Sequence, residues 1–292
     1  MRRIHPTAVV DPAAELGEDV VVGPYCVIEG PVKVGAHTVL RAHVTLMGRT
    51  TLGQGNVLYP GAVLGAPPQD LKFADETTYL VVGDRNQIRE HVTFHPGTAK
   101  GGGTTRVGDD GLYMVGCHVA HDGHVGNHVI MANHVLLAGH VTVGDRAILN
   151  GACAAHHFAS IGRLAYVGGL SRINRDVPPF CIAEGHPMRI RGANVVGMRR
   201  AGFSPDAVER VRDAVFRVFV RHDEPARVAM ERLEREHPGD PLLAELIAFT
   251  RAGDQGRNGR ANDRRVPVKP SAAPAAPAPA AGAPAAGAPR PA

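Results

Sequence analysis

Sixteen histidines punctuate this 292-residue chain, and they are unevenly spread. Eight fall between positions 118 and 157: His118, His121, His124, His128, His134, His140, His156 and His157. Two chemistries use imidazoles gathered this way. Three of them, often from adjacent subunits, can hold a zinc ion. Alternatively, one serves as general base while the others bind a polar substrate. His121 differs from the rest because Asp122 follows it, in Cys117-His118-Val119-Ala120-His121-Asp122-Gly123. A carboxylate against an imidazole fixes its tautomer and raises its basicity. Neighbouring residues of a strand point to opposite sides, so the pair requires a corner, and Gly123 permits one. Any other single histidine of the set can equally be a solvent-facing filler.

The element that must position these groups is a repeat. From Ile4, every sixth residue is aliphatic: Val10, Leu16, Val22, Ile28, Val34, Leu40, Leu46, Leu52, Leu58 and Leu64. An α-helix has period 3.6 and a strand period 2, so neither produces this pattern. A chain returning to the same corner every six residues does, and the pattern predicts a parallel β-helix, three hexads to a triangular coil. Coils stack at about 4.8 Å, the strand spacing, with the aliphatic column inside. That column explains a core with only 4% aromatic residues and no Trp. The residue after the aliphatic is often Gly, as at Gly17, Gly23, Gly35, Gly53, Gly83 and Gly108. Glycine there is expected to supply positive φ at the corner.

The repeat is broken twice. After Leu64-Gly65 it pauses across Gln69-Asp70-Leu71-Lys72, then resumes in phase at Val82, Ile88 and Phe94. A second break, from Pro96 to Thr105, contains Lys100-Gly101-Gly102-Gly103. The series restarts one residue out of phase at Val107 and runs to Ile173, ending near Asp176-Val177-Pro178-Pro179. The β-helix is assigned to residues 1–197. Helical periodicity follows over 198–250, opened by Ser204-Pro205 as N-cap and first helical residue. Residues 251–292, Arg/Asn/Gly-rich and then almost wholly Pro, Ala and Gly, are expected to be a disordered tail.

That tail holds seven Lys or Arg and two Asp, which leaves 25 basic and 26 acidic residues in 1–250. The body is therefore near neutral, and nothing in it predicts nucleic-acid binding. Met1-Arg2-Arg3 leads into hexads rather than an apolar signal segment, and no stretch is long enough to span a membrane. Four scattered Cys (26, 117, 153 and 181) suggest reduced, buried thiols and a cytoplasmic protein.

The motifs together resemble those of the UDP-N-acetylglucosamine 3-O-acyltransferases, over roughly residues 4–250. They are Gln69-Asp70-Leu71-Lys72, Gly83-Asp84-Arg85-Asn86 with Ile88-Arg89-Glu90, Gly101-Gly102-Gly103, His118-Val119-Ala120-His121-Asp122, Leu137-Ala138-Gly139-His140, Asp176-Val177-Pro178-Pro179 and Arg199-Arg200-Ala201-Gly202-Phe203. The resemblance implies a left-handed β-helix, a homotrimer and active sites between subunits. It implies transfer of a (3R)-3-hydroxyacyl group from acyl carrier protein to the 3-hydroxyl of UDP-N-acetylglucosamine, the first step of lipid A synthesis. By the same resemblance His121 is the general base, Asp122 orients it, and the Gly139 N–H binds the oxyanion. His118, His140 and His156 match sugar-nucleotide positions, and His95 lies at the cleft. Asp70 and Lys72 belong to a loop that reaches a neighbouring subunit's cleft. Asn194 and Arg200 match uridine and phosphate contacts, and Gly169 matches the position that limits acyl length. Neither a metal nor another cofactor is implied. His157, Val196 and His91 stand where the family commonly has Gln, an acidic residue and Ser. These departures leave open a 3-amino sugar acceptor. The related later-step N-acyltransferase normally carries an extra N-terminal domain, whereas the repeats here begin at Ile4. A trimeric zinc carbonic anhydrase shares the prism but lacks the Gln-Asp-Leu-Lys loop and helical end, and a non-catalytic scaffold would need neither.

Overall fold

In a computed structural model, residues 2–263 are described. Short strands, most of two to four residues, form three sheets, the faces of a triangular prism, parallel except where Arg189–Ala193 pairs antiparallel with Cys181–Glu184. The chain visits the first face (as at Val21–Val22), the second (Val27–Glu29) and the third (Lys33–Val34), then returns to the first at Val39–Leu40. Regular coils pair with a step of 18 residues, as in Val22↔Leu40. The hexad aliphatics point inward: Leu40, Leu46, Leu58, Leu64, Ile88, Phe94, Val119, Leu137 and Val167 are fully buried. Only the open end of the stack departs, where Ile4 is 48% exposed.

The two breaks are insertions at one edge, between the second and third faces. Across the first, Leu64 pairs with Phe94, a step of 30 instead of 18, so the loop adds 12 residues. Twelve is two hexads, which keeps the phase. Across the second, Phe94 pairs with Val119, a step of 25, so the loop adds 7. Seven is one hexad and one residue, which is the origin of the phase slip.

The role expected of the hexad glycines is corrected. The positive-φ residue lies two positions later and is mostly not glycine: Asp19, Tyr25, His37, Arg85, Asp110, His128 and Arg146 adopt φ between 53° and 59°. A Cβ on Gly35 would lie 2.4 Å from the Gly53 carbonyl carbon of the next coil. Glycine is thus selected for coil-to-coil approach rather than for φ. The left-handed corners also account for many histidines. His37, His43, His91, His128, His134 and His140 all occupy them, and His is among the residues that tolerate this region best.

Among the described residues four α-helices close the far end, α1 (Val195–Arg200), α2 (Pro205–Val215), α3 (Ala226–Glu236) and α4 (Pro241–Gln255), with a π-helical turn, Phe216–Val220, continuing α2. Ser204 caps α2 through its Oγ, as its sequence position predicts. Val208, Val211, Val215, Leu233, Leu243 and Ile247 pack with Phe180 and Leu164 of the last coils. The expected boundary at residue 251 is too early. Helix α4 runs on to Gln255, and residues beyond it fold back on the prism: Asp176 donates its N–H to Gly259 and accepts from Ala261 through Oδ2 at 2.8 Å, while buried Arg260 donates to the Asn174 carbonyl. The rest of the expected tail, from residue 264, lies outside the described residues.

Candidate active site

Five successive levels of the edge between the second and third faces converge on one cleft: the two loops, then the corners His121-Asp122, Gly139-His140 and His157-Phe158. Gln69, His95, His118, Ala120, His121, Ala138, Gly139 and His157 line a cavity of about 170 Å³. His121 and Asp122 pair at the corner because Asp122 itself adopts φ 58°; the turn rests on Asp122 and not, as expected, on Gly123. His121 Nδ1–H donates to Asp122 Oδ2 at 2.8 Å, and both side chains are nearly inaccessible, 11% and 1% exposed. Nδ1 is thereby committed, and Nε2 is the free basic nitrogen.

Gly139 lies against that nitrogen. A Cβ there would fall 2.7 Å from His121 Nε2 and 2.5 Å from Cε1. The Gly139 N–H donates to no protein acceptor among the described residues. A backbone donor and a base therefore border the same small volume, the arrangement needed to activate a hydroxyl and stabilise an oxyanion.

Three neighbouring imidazoles are shifted toward their neutral form. Burial, reinforced by nearby His95 and His121, pushes His118 down to about 4. Its Nδ1 lies 2.8 Å from the Thr93 hydroxyl. Burial lowers His140 despite the Asp122 carboxylate at 3.8 Å, and burial with His156 lowers His157. His95 donates Nδ1–H to the Ala66 and Pro67 carbonyls of the first loop at 3.0 and 2.9 Å. Its Nε2 is buried and without a protein partner among the described residues, beside the cleft. Asp70 is turned by its bond from the Lys72 N–H and is held below the usual carboxylate range by that bond and by the fields of His121, Lys72 and Lys100.

The remaining expected site residues lie elsewhere in this protomer. His156 is exposed, its Nδ1 on the His157 carbonyl. Lys72 is exposed beside Leu71, which stands fully in solvent at the loop tip. Gly169 sits on a different edge, over Gly151. Asn194 caps α1: its Oδ1 accepts from the Gly197 N–H and its Nδ2 donates to the Leu164 carbonyl, so both ends of the amide are used within the chain. Arg200 is exposed at the end of α1. The histidine cluster seen in sequence also divides, because His124 lies on the third face and His128 and His134 on the other two edges. Gln69, which begins the Gln-Asp-Leu-Lys motif, also lines the cleft, and Thr93 and Thr98, which carry no sequence signal, bond to His118 and Asp122.

One coordination possibility also exists, since ligand atoms of His121, Asp122 and His140 lie within 4.8 Å of one another. Any cation there would compete with the His121–Asp122 hydrogen bond.

A hexad prism whose loops enclose a His–Asp pair beside a free backbone N–H defines a hexapeptide-repeat acyltransferase. Residues 13–48 match the bacterial transferase hexapeptide family, and residues 176–258 match the second domain of UDP-N-acetylglucosamine O-acyltransferases. The chain is 46% identical to the acyl-[acyl-carrier-protein]–UDP-N-acetylglucosamine O-acyltransferase of Myxococcus xanthus over 256 residues, 88% of this chain and 99% of that one. It is 48% identical to the Rhizobium johnstonii enzyme of the same name over 217 residues, covering 74% and 80%. Among solved structures, the UDP-N-acetylglucosamine acyltransferase of Bacteroides fragilis superposes with TM-score 0.82 at 36% identity, covering 85% of this chain and 96% of that one. The Francisella novicida enzyme gives 0.80 at 31%, covering 85% and 90%. The chain belongs to the acyl-[acyl-carrier-protein]–UDP-N-acetylglucosamine O-acyltransferase family.

Proposed function

We infer that this chain moves a (3R)-3-hydroxyacyl group from acyl carrier protein to the 3-hydroxyl of UDP-N-acetylglucosamine, the first step of lipid A synthesis. The observation that carries the mechanism is the pairing of His121 Nε2 with the free Gly139 N–H across one cleft. His121 takes the hydroxyl proton, and Asp122 stabilises the imidazolium. The sugar oxygen attacks the thioester carbonyl, whose oxygen becomes negative and receives the Gly139 N–H. The tetrahedral adduct then expels the carrier thiolate, which recovers the proton from His121. His95 Nε2 and neutral His118, His140 and His157 supply polar contacts to the sugar.

The working unit in this reading is a cytoplasmic homotrimer. Supporting it, apolar Leu71 at the first loop's tip and Leu170 on another edge are left 106% and 80% exposed in the isolated protomer. Lys72, Asn194, Arg200 and Gly169 then act toward a cleft shared between copies, Asn194 by holding the start of α1. No helix among the described residues is long and apolar enough to cross a membrane. For the acidic carrier protein, Arg163 and Arg217 are already paired, with Glu245 and with Asp213 and Glu236, and Arg221 is paired with Asp223. Arg172 and Arg199 have no carboxylate partner among the described residues and form the docking charge.

Gly169 leaves the acyl groove open, so longer hydroxyacyl donors are preferred. A panel of donors of graded length checks this; preference for the shortest contradicts it. The acceptor is tested by offering UDP-N-acetylglucosamine and its 3-amino analogue with a defined acyl-carrier donor. The reading expects an ester product, cleaved by hydroxylamine. Amide formation alone would reassign the acceptor.

A further inference from the structure

The function described leaves the triple-glycine loop without a task, and its geometry supplies one. Thr98 opens the loop in an extended conformation and caps a short 3₁₀ turn, Ala99–Gly101. Its N–H donates to Asp122 Oδ1 at 2.9 Å and its hydroxyl donates to Asp122 Oδ2 at 2.7 Å. Both oxygens of the carboxylate are therefore held by one residue, and Oδ2 is shared with His121 Nδ1. The glycines are explained by the same contact. A Cβ on Gly101 would lie 2.0 Å from the Asp122 carboxyl carbon, so only glycine lets the backbone rest on that group. Gly102 and Gly103 take φ of 102° and 76°, the left-handed region, to return the chain to the third face at Thr104. The loop is braced from the first loop by Glu76, which accepts the Ala99 N–H, and by the Tyr79 carbonyl, which accepts from Gly97.

We propose that Thr98 is a positioning residue for acyl transfer: with the glycine loop pressed over it, Thr98 fixes the Asp122 carboxylate, and through it the tautomer and aim of the His121 base. The inference rests on the assignment of His121 as base. The physical need for it is plain. Burial alone drives a carboxylate toward its neutral form, and a neutral carboxyl would no longer hold the Nδ1–H tautomer. Burial does push Asp122 upward, but the hydrogen bonds from His121 and from both donors of Thr98 outweigh it, and the group is held below the usual carboxylate range. The Gly101 backbone meanwhile keeps water from competing for the carboxylate, whose side chain is 1% exposed.

The test compares Thr98→Val, Thr98→Ser, Asp122→Asn and the Thr98→Val/Asp122→Asn double variant in the full-length chain, with kcat and both KM values measured. Thr98→Val keeps the shape and the backbone N–H but lacks the hydroxyl. It is expected to lower kcat on the order of tenfold with both KM values nearly unchanged, because the interaction lost serves the transition state. Thr98→Ser restores the donor and is expected to stay within about twofold of wild type. In the Asp122→Asn background, Thr98→Val is expected to remove almost nothing more, as coupled residues are not additive. Wild-type kcat in Thr98→Val, equal losses in both backgrounds, or a Thr98→Ser as poor as Thr98→Val would each overturn the proposal. His121→Ala separates it from the reading beneath it. Full turnover in His121→Ala removes the base assignment, whereas an inactive His121→Ala beside a fully active Thr98→Val removes only the role of Thr98.

Discussion

Two edges of the same prism have the same backbone and opposite fates. Along the edge between the third and first faces, four successive coils have their corner N–H capped by a side chain of the next coil. Gln54 donates to Asp84, Asp84 to Asp109, Asp109 to Asn127 and Asn127 to Asp145, all at 2.7–2.9 Å. Along the edge between the second and third faces, the equivalent positions are His121, Gly139 and His157, and no such ladder forms. The first edge is sealed, and its carboxylates satisfy backbone donors. The second leaves the Gly139 N–H without a protein acceptor among the described residues and turns the buried Asp122 carboxylate onto an imidazole. The coil supplies an N–H at every corner, and the side chain one coil along decides whether it is structural or chemical.

The largest effect should follow from closing the open edge. Gly139→Ala places a methyl against His121 and moves the free N–H, and kcat is expected to fall on the order of a hundredfold or more. Asp122→Asn is expected to cost about a hundredfold in kcat, since the amide can present the wrong group to Nδ1. Steady-state kinetics check both, and near-normal turnover in either would erase the distinction between the edges.

The next effect concerns acid. An unfolded imidazole takes a proton near its ordinary value of 6.5, while folded His118 stays neutral down to about 4. The stability this represents is present above the unfolded value and is lost as pH falls from there toward the folded one. Discounted for partial exposure, the loss is on the order of 1–2 kcal/mol. Thermal unfolding as a function of pH should therefore show a shallower acid limb for His118→Gln than for wild type, and identical limbs would contradict it. The smallest effect is on the sealed edge. Asp109→Ala uncaps the Asp84 N–H and should lower stability by about 1 kcal/mol, seen as a small drop in melting temperature, with turnover unchanged.

How much of this was legible in the sequence follows from how local each signal is. The aliphatic hexads report burial directly, so the prism could be read without coordinates. The His121-Asp122 pair and the motif beginning at Gln69 were visible as breaks in a strict pattern. Two readings failed because they assigned backbone conformation to the wrong residue. The hexad glycines and Gly123 seemed to make the corners, whereas left-handed φ falls on Asp122, His140 and their equivalents, and the hexad glycines answer to atoms one coil further along the chain. Thr98 was invisible for the same reason, because its partner lies 24 positions along the chain and only the second loop's path joins them. The domain boundary at 251 misled because Arg-, Asn- and Gly-rich composition says nothing about a specific latch such as Arg260 on the Asn174 carbonyl.

The central claim is that one imidazole on the open edge supplies the base. Its most direct test is the single-turnover rate of acyl transfer from a defined hydroxyacyl-carrier donor to UDP-N-acetylglucosamine, measured for wild type and His121→Ala at saturating substrates. The account predicts a fall of about a thousandfold with unchanged acceptor affinity. A His121→Ala rate within a few-fold of wild type would contradict it.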